Sequence, residues 1–496
     1  MSSHIAVFDI GKTNKKLLIY DENLKLIDTA REQFPEYTEG NVNFEPVREM
    51  TEWYLDRLSD FSGSYNIKGI TVATQGATAV CVKEDASPAV PPIAYTTEPG
   101  EAFHEEFRKR FGGTEKIQRT TATALMSVLL NLAQLIVYLQ KQYPKEFEET
   151  YKILGFPQYF GYVLTGKAGA EPTYMGCHTM LWEHRNKRWS YIAEELGIID
   201  KLPKGLSRTW DLLGTVTPEI TDRTGLAADT LVTMGVHDSN ASLLPYLIQA
   251  KEEFILNSTG TWCAVMHPAR ELTFADDEIG KLVYYNLDVH SRPVKTSILL
   301  GGLEFETWSD CIRKINNAED FPPFNPEVYK TIIAEQKYFI FPGIVKGTGQ
   351  FPESEPRVYA EGKEYSFADI ENGNVPELFR NYTAAMAVLN ISIAIQTKVA
   401  MERVGIRDGM PIFIEGGFHK NPDYSALLTG IYKKSKIYLS NLEEATAFGA
   451  ALLGKAALEG KDPLELSAYC AIEKREVEKV HFPGFPAYIR AFMDLL

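Results

Sequence analysis

Two short turns rich in glycine and hydroxyl side chains occur in the two halves of this 496-residue sequence, at 11–14 (Gly11, Lys12, Thr13, Asn14) and at 258–261 (Ser258, Thr259, Gly260, Thr261). Glycine lets the backbone approach a ligand, and Thr, Asn and backbone N–H groups bind phosphate oxygens. Lys12 would add a positive charge. Ordinary hairpin turns have the same composition, so it is the paired occurrence that favours a phosphate site. The GxxxxGK[ST] spacing of a P-loop is absent from both turns.

Two aspartates follow apolar segments that are typical of buried strands. Asp9 directly precedes the first turn, and Asp238 follows His237. A buried carboxylate needs hydrogen bonds or a cation, so Asp9 could hold Mg²⁺ through water or could accept N–H groups of its own turn. Asp238 lies where a strand meets a helix, the place at which open α/β folds bind ligands. It could take a proton from a substrate hydroxyl, or it could cap the helix.

Three further groups of residues have weaker patterns. The segment 415–418 (Glu415, Gly416, Gly417, Phe418) would let a flat ligand such as adenine lie against the backbone, or would be a plain strand-to-helix turn. Cys177 and His178, with Glu183 and His184, fit neither paired-cysteine nor HExxH spacing, so no metal site is predicted there. The aromatic residues Tyr95, Trp182 and Trp262 are expected in the core or in the walls of a cleft.

The elements that would position these residues follow from hydrophobic periodicity. The sequence predicts strands at 5–10, 16–20, 24–27, 67–74, 231–236, 253–257, 262–266 and 411–415. It predicts helices at 47–58, 122–140, 157–164, 375–404 and 443–458, with the fourth helix amphipathic.

The segments 9–13 and 257–261, which contain the two turns, are 248 residues apart, which is half of the chain. In each half a hairpin is followed by helices and further strands. This repetition predicts an α/β fold made of two duplicated domains, 1–246 and 247–496, with a cleft between them.

Composition excludes several classes of function. With 51 Lys and Arg against 66 Asp and Glu, the net charge is −15, which opposes binding to nucleic acid or to an anionic membrane. The 45% of apolar residues is typical of a globular protein with a large core. Five scattered cysteines without a CxxC motif indicate reduced thiols. The first eleven residues lack the pattern of a signal peptide, so a cytoplasmic location is expected.

Taken in order, seven segments resemble motifs of the FGGY carbohydrate kinases, a branch of the actin/hexokinase/Hsp70 ATPase superfamily. The segments are 9–14 (first phosphate motif), 156–166, 179–189, 224–238 (catalytic Asp), 258–261 (second phosphate motif), 415–417 (adenosine motif) and 448–451 (closing GAA helix). The resemblance extends from Ile5 to about Leu458. It implies two actin-like ATPase (ribonuclease H-like) domains, with ATP mainly on the C-terminal half and sugar mainly on the N-terminal half.

The resemblance also implies roles for individual residues. Asp238 would be the base that accepts the proton of a sugar hydroxyl, and Asp9 would position Mg²⁺. The ATP-binding residues would be Gly11, Lys12, Thr13, Asn14, Thr259, Gly260, Thr261, Gly416 and Gly417. The sugar-binding residues would be Gln75, Gly76, Trp182, His237 and Asp238.

The sequence departs from the family pattern in places that bear on the substrate. Many members carry a Trp-x-Asp-x-Arg sugar-binding segment, whereas residues 95–99 here read Tyr-Thr-Thr-Glu-Pro, and Phe418 replaces a small residue. The run His-Asp-Ser-Asn-Ala at 237–241 looks most like rhamnulokinases, which implies a 6-deoxyketose such as L-rhamnulose or L-fuculose. A xylulokinase-like pentulose kinase and an inactive sugar- or nucleotide-binding regulator stay open as alternatives, as does a homodimer.

Overall fold

The computed structural model describes residues 2–442 and 444–496. The strands of the N-terminal half are β1 (His4–Ile10), β2 (Lys15–Tyr20), β3 (Leu26–Glu32), β4 (Tyr37–Glu39), β5 (Val42–Phe44), β6 (Ile67–Thr74), β7 (Ala79–Val82), β8 (Lys152–Gly155), β9 (Trp182–Glu183), β10 (Arg188–Trp189), β11 (Leu212–Thr215), β12 (Leu231–Thr233) and β13 (Val236–His237). Its helices are α1 (Val47–Ser62), α2 (Glu101–Arg110), α3 (Gly113–Thr121), α4 (Leu132–Gln142), α5 (Pro144–Glu148), α6 (Phe156–Thr165), α7 (Pro172–Met175), α8 (Tyr191–Glu195), α9 (Pro218–Thr224) and α10 (Asp238–Gln249).

The C-terminal half has a similar mixture of strands and helices. Its strands are β14 (Ile255–Thr259), β15 (Cys263–Pro268), β16 (Val283–Leu287), β17 (Pro293–Leu299), β18 (Tyr338–Phe341), β19 (Arg357–Ala360), β20 (Lys363–Ser366), β21 (Ile412–Gly416), β22 (Ile437–Ser440) and β23 (Lys474–Glu476). Its helices are α11 (Gly301–Asn316), α12 (Pro326–Glu335), α13 (Phe367–Glu371), α14 (Tyr382–Arg403), α15 (Pro422–Ile431), α16 (Ala445–Glu459) and α17 (Phe485–Leu495).

The two halves repeat one sheet topology. The first sheet has the order β11-β12-β6-β1-β2-β3, with β13 also paired to β6, and the second has the order β16-β17-β15-β14-β21-β22-β23. In each sheet an antiparallel hairpin (β1-β2 or β14-β15) is followed by a parallel neighbour of its first strand (β6 or β21). The predicted α/β fold with a duplicated sheet domain is therefore confirmed.

Strand β1 shows why these segments read as continuous apolar runs. Ala6, Phe8 and Ile10 enter the core of the N-terminal half on one face of the sheet. Ile5 and Val7 enter a second apolar cluster on the other face, together with α16. Because both faces of the strand are covered, the sequence does not alternate between apolar and polar residues.

The register brings the functional segments to the same edge of each sheet. Ile10 pairs with Thr74 of β6, and His237 of β13 pairs with the same Thr74. The strands β1, β6 and β13 therefore end side by side, and the first turn, Gln75 and Asp238 follow directly from these ends. In the second sheet Thr259 pairs with Gly416, so the second turn and the Gly416-Gly417 turn are neighbours.

Two helices connect the halves. Helix α16, from the C-terminal half, packs its alanine-rich face on the first sheet, where Ala447, Ala450 and Ala451 are fully buried. Helix α10 crosses α16, and its Tyr246 contacts Phe413 of the second sheet with ring centroids 5.3 Å apart. The predicted boundary between residues 246 and 247 falls inside α10 and stays a prediction.

A predicted helix and a predicted strand differ from the structure, and the start of a third predicted element cannot be compared. The helix predicted at 122–140 begins only at Leu132, because the Asn131 side chain accepts the Met126 N–H at 2.9 Å and donates to the carbonyls of Ala124 and His178. The strand predicted at 231–236 is interrupted between β12 and β13, where Gly235 has φ +83°. Glu443, the predicted first residue of the last helix, lies outside the described residues, as does Met1.

The helix predicted at 375–404 is divided and is not amphipathic. A 3₁₀ turn at Glu377–Arg380 precedes α14, which is buried on nearly all sides within the core of the C-terminal half. Among the described residues α14 is the one helix that is long and apolar enough to cross a membrane, and 89% of its apolar window is buried inside the structure. It is therefore accounted for as a core helix.

Candidate active site

A cavity of about 280 Å³ lies between the two halves of the chain. Both halves contribute to its wall, and the residues that line it are Lys12, Gln75, Gly76, Ala77, Tyr95, Met126, Leu130, His178, His237, Asp238, Ser239, Ser242, Ser258, Thr259, Gly260, Trp262, Ala264, Tyr284, Ile298 and Thr446. The two turns and Asp238, which are far apart in the sequence, thus face one space.

Asp238 is the first residue of α10, and its side chain is 31% exposed, so the cavity can reach its carboxylate. The carboxylate Oδ1 accepts the backbone N–H of Ser239 at 2.6 Å. Enclosure in the cavity raises the pKa of Asp238 to about 6, and the hydrogen bond from Ser239 opposes that rise. At neutral pH the group is therefore ionised and is a stronger base than an ordinary aspartate.

Polar side chains flank Asp238 on the N-terminal half. The His237 Nδ1 atom lies 3.5 Å from Asp238 Oδ1, and burial lowers the pKa of His237 to about 4. Gln75 donates to Glu45 Oε1 at 3.2 Å, which leaves its own buried Oε1 atom without a partner. An unpaired buried oxygen is costly, and a ligand hydroxyl could satisfy it. These side chains suit a neutral ligand with several hydroxyl groups.

Lys12 lines the same cavity as the second turn. Its ammonium donates to Glu45 Oε1 at 2.8 Å, pairs with Glu36 and lies 4.6 Å from the centroid of the Tyr95 ring. Burial lowers the pKa of Lys12, and the neighbouring Glu45 opposes that shift. The structure thus gives Lys12 acidic and aromatic partners, and its predicted phosphate contact stays a prediction.

Asp9 lies at the end of β1 among other charged groups. Its carboxylate is 3.6 Å from the ammonium of Lys16, which also pairs with Glu444. Burial raises the pKa of Asp9 to about 6, Lys16 opposes the rise, and the charges of Glu444 and Asp238 add to it. The Asp9 and Glu444 carboxylates, which share Lys16, offer hard oxygen atoms that fit a Mg²⁺ ion.

The second turn is held against the Gly416 segment. The Thr259 hydroxyl donates to the Glu415 carbonyl and accepts the Phe418 N–H at 2.9 Å. Gly416 has φ +77°, and a Cβ atom there would lie 1.9 Å from the Thr259 carbonyl oxygen. Only glycine permits this approach. The turn therefore presents its backbone, with the Thr259 side chain used for structure.

A second, apolar cavity of about 430 Å³ shares Thr259 and Gly260 with the first. Its walls include Phe305, Phe321, Phe324, Met386, Gly417 and Phe418, with Asn390 and Asp423 as polar members. Phe418 packs edge-on against Phe305, with ring centroids 5.5 Å apart. The shape and lining suit a flat aromatic group, and the shared turn would then lie between that group and Asp238.

The structure corrects one predicted sugar contact. Trp182 lies in β9, packs edge-on against Trp189 with centroids 5.3 Å apart and is buried in the core of the N-terminal half. It is not among the residues that line the cavity. Burying so large an apolar side chain in the core is favourable, and Tyr95, Trp262 and Tyr284 supply the aromatic walls instead.

The other predicted residues occupy the expected turns without lining the first cavity. The Gly11 N–H donates to the Asn14 carbonyl at 3.1 Å, and Asn14 Oδ1 accepts from Gln33 at 3.1 Å. Thr13 is exposed at the tip of this turn. Thr261 accepts the Leu303 N–H through its carbonyl at 3.3 Å.

Sequence reasoning did not select Lys16, Tyr284 or Thr446, and it weighed His178 only as a metal ligand and not as a residue of the cavity. Lys16 could have been found from its position, since it pairs with Asp9 across the β1-β2 hairpin. The other three line the cavity from segments that no local pattern connects with the turns.

Comparison with known proteins identifies two family domains. The profile described as "FGGY family of carbohydrate kinases, N-terminal domain" matches residues 4–245. The profile described as "Carbohydrate kinase FGGY, C-terminal domain" matches residues 251–463.

A curated relative is named "Probable L-xylulose kinase", from Pasteurella multocida (strain Pm70), and is 26% identical over 270 residues. The match covers 52% of this chain and 54% of that protein, so the chain spans about half the length of the curated relative that it matches.

Solved structures share the whole fold. A carbohydrate kinase from Novosphingobium aromaticivorans has 24% identity and a TM-score of 0.77, covering 99% of this chain and 98% of that one. A ligand-bound xylulose kinase from Lactobacillus acidophilus has 16% identity and a TM-score of 0.78, covering 99% and 96%. Plasmodium falciparum glycerol kinase with ADP has 15% identity and a TM-score of 0.78, covering 100% and 97%. At these identities the likeness establishes the fold.

Proposed function

Because the chain belongs to the FGGY family of carbohydrate kinases, we propose that it transfers the γ-phosphoryl group of ATP to a hydroxyl of a small sugar, with Asp238 as general base. One observation carries this proposal. The Asp238 carboxylate opens into the first cavity, here called the polar cavity because Gln75, His237 and Asp238 line it, and this cavity shares Thr259 and Gly260 with the apolar cavity. A sugar and an adenine ring in these two cavities would place the phosphates beside the second turn and near Asp238.

Positioning and charge stabilisation do most of the catalysis in phosphoryl transfer. Asp238 accepts the proton of the attacking hydroxyl, and its raised pKa of about 6 makes it a better acceptor while it stays ionised at neutral pH. Gly11, Thr13 and Asn14 of the first turn, and Gly260 and Thr261 of the second, offer backbone and hydroxyl groups to phosphate oxygens. Gly416 and Gly417 border the adenosine.

Asp9 and Glu444 are the residues that would hold a Mg²⁺ ion, since they lie on opposite sides of Lys16. The ion, when bound with ATP, neutralises charge on the phosphate oxygens. Lys16 lies between these carboxylates, where its ammonium can turn toward a phosphate.

The lining of the polar cavity supports a 6-deoxyketose such as L-rhamnulose or L-fuculose as the substrate. Gln75, His237 and Asp238 offer hydrogen-bonding atoms on one side, while Met126 and Leu130 offer apolar surface that suits a methyl group. In place of the family's arginine near residues 95–99, Lys12 brings a cation over Tyr95. Its two acidic partners, Glu36 and Glu45, disfavour an anionic sugar.

A pentulose is the second candidate, on the ground that the curated relative is named a probable L-xylulose kinase. A pentulose has no terminal methyl group, so it would leave the apolar surface of the cavity uncovered. The same kinase chemistry would apply.

We further propose that the protein acts in the cytoplasm, where its five cysteines, all free in the structure, stay reduced. We also propose that it assembles as a homodimer.

The experiment is a coupled assay of ADP release with L-rhamnulose, L-fuculose, L-xylulose, D-xylulose and glycerol. Wild type is compared with Asp238→Asn, and Asp222→Asn on the exposed surface of α9 is the matched control. Loss of the general base is expected to lower kcat on the best substrate by about 100- to 10,000-fold, whereas the control stays within about twofold.

Two results would contradict the proposal. If Asp238→Asn keeps most of the wild-type rate, Asp238 is not the base. If no sugar stimulates ADP release in the folded wild type, the chain is a binding regulator on a kinase scaffold.

A further inference from the structure

Two neighbouring residues and a third one that is 60 positions away meet beside the polar cavity, which His178 and His237 line. They are Cys177 and His178, in the segment after α7, and His237, at the end of β13. One ligand atom from each lies within 4.8 Å of the other two, and all three residues are buried. The Glu183 and His184 considered with them in the sequence are elsewhere: Glu183 pairs with Arg188 at 3.0 Å, and His184 Nε2 contacts two carbonyl oxygens.

The Nε2 atoms of the two histidines face the cluster. His178 Nδ1 lies 3.0 Å from the Leu130 carbonyl oxygen and must donate to it, so Nε2 carries the lone pair. His237 Nδ1 makes no hydrogen bond and lies 3.5 Å from Asp238 Oδ1, while its Nε2 faces the Cys177 sulfur. A carboxylate or a carbonyl behind each ring is the usual support for a metal-binding histidine.

One edge of the cluster matches a coordination tetrahedron. The Cys177 Sγ and His237 Nε2 atoms are 3.6 Å apart. Bond lengths of about 2.3 Å to sulfur and about 2.05 Å to nitrogen give an S–N edge of about 3.6 Å around a tetrahedral zinc ion. Cys177 and His237 are therefore already separated as a bound ion requires, and the His178 ligand atom lies within 4.8 Å of both.

Glycine at position 76 lets the backbone lie against both imidazole rings. A Cβ on Gly76 would lie 2.7 Å from His237 Nε2 and 2.8 Å from His178 Nε2, which is too close for any side chain. His178 holds φ +41°, an uncommon conformation for a residue with a side chain. The strand end carrying His237 is fixed to α7, because the His237 N–H donates to Thr173 Oγ1 at 3.0 Å.

We propose that Cys177, His178 and His237 form a binding site for a borderline-soft divalent cation of the zinc class, with its fourth position open to the polar cavity. A thiolate and two neutral imidazoles are ligands that zinc and cobalt prefer, whereas Mg²⁺ prefers oxygen. Binding releases the proton of the Cys177 thiol to solvent as the metal–sulfur bond forms. The ion is an inhibitor of the enzyme, because His178 and His237 face the space assigned to the sugar.

Binding itself is tested with the full chain and Co²⁺, in excess Mg²⁺. Cobalt bound by a thiolate gives a sulfur-to-metal charge-transfer band in the near ultraviolet and intense visible bands when four-coordinate. We expect one equivalent of Co²⁺ to produce both features and Zn²⁺ to abolish them. Cys177→Ser should lose the charge-transfer band, whereas Cys81→Ser, which replaces another buried cysteine in the same half of the chain, should retain it.

His178→Gln is the second variant. It keeps the thiolate and should therefore keep the charge-transfer band, with affinity weakened at least about tenfold. If a thermal unfolding measurement shows that Cys177→Ser does not fold, the Co²⁺ affinity of His178→Gln relative to wild type tests the site instead. The proposal is overturned if stoichiometric Co²⁺ gives no thiolate band in wild type, or if both variants bind Co²⁺ as wild type does.

The effect on catalysis rests on the proposed function and is measured separately. Zn²⁺ should inhibit ADP release in competition with the sugar, and Cys177→Ser should need at least about tenfold more Zn²⁺ for the same fractional loss of its own zinc-free rate. Equal inhibition of both proteins would place the effect at the ATP–Mg²⁺ site and overturn this part. The optical titration needs no turnover, so the two proposals can fail separately. A protein with the cobalt spectrum but no kinase activity would contradict only the proposed function, and an active kinase without the spectrum would contradict only the metal site.

Discussion

At the scale of single residues, the raised pKa of Asp238 gives the proposed chemistry a pH dependence. A general base must be ionised, so kcat/KM for the sugar should be flat above about pH 7 and fall about tenfold per pH unit below about pH 6. Asp9 has its pKa raised to about 6 as well, so the profile reports both carboxyls together and can fall more steeply.

The measurement is kcat/KM for the best sugar between about pH 5 and pH 8, with far-ultraviolet circular dichroism to show that the fold persists at each pH. A midpoint near pH 4, the range of an ordinary carboxyl, would contradict the assigned environment of Asp238.

Residue types and local spacing were enough to select Lys12, Gln75, His237 and Asp238, which line the cavity. They did not reveal the partners of Lys12 or the core position of Trp182, because these contacts come from distant segments. Lys12 pairs with Glu45, which is 33 residues away, and Trp182 is buried by core packing. The meeting of Cys177 with His237 has the same origin, since tertiary packing brings together residues 60 positions apart.

At the scale of elements, the junction of β14 and β21 depends on Gly416. Its φ of +77° with ψ −152° lies in a region that is essentially restricted to glycine, and a Cβ there would meet the Thr259 carbonyl oxygen at 1.9 Å. We expect Gly416→Ala to lower the free energy of unfolding by about 1–3 kcal/mol and to raise KM for ATP, because the second turn must shift.

Gly417→Ala is the matched control, since a Cβ there would lie 3.9 Å from the same oxygen. Its unfolding free energy should change by less than about 0.5 kcal/mol. Denaturant unfolding of both variants makes the comparison, because Gly417 borders the proposed adenosine site and its KM for ATP is not a neutral reference. An equal change in the two unfolding free energies would refute the role given to this junction.

Hairpins and buried strands were predictable because apolar periodicity determines them. The start of α4 was not predictable, since the Asn131 side chain holds the segment from Ala124 onward in a loop by hydrogen bonds to three backbone groups. Such a contact depends on a side chain's tertiary partners and not on helix propensity.

At the scale of the whole molecule, α10 and α16 connect the halves at a very close crossing. A Cβ on Gly449 would lie 1.9 Å from the Ala241 carbonyl oxygen. Gly449→Ala should therefore separate the helices and lower the free energy of unfolding by about 1–3 kcal/mol. Gly63→Ala, at the end of α1, is the control, because a Cβ there would lie 3.7 Å from its nearest neighbour. A calorimetric scan in which both variants unfold alike would show that the crossing has no such requirement.

The duplication was visible in the sequence as two turns half a chain apart, whereas the exchange of helices between the halves was not. The alanine-rich face of α16 shows that the helix is buried, and only the structure shows that it is buried on the sheet of the other half.

The central claim is that segments from both halves hold one triphosphate next to Asp238. A crystal structure with a non-hydrolysable ATP analogue, Mg²⁺ and the best ketose tests it most directly. The account predicts phosphate oxygens in contact with both the 11–14 and the 258–261 turns, the adenine among Phe305 and Phe418, and a sugar hydroxyl within about 3 Å of the Asp238 carboxylate. A triphosphate bound away from either turn, or a sugar hydroxyl out of reach of Asp238, would contradict it.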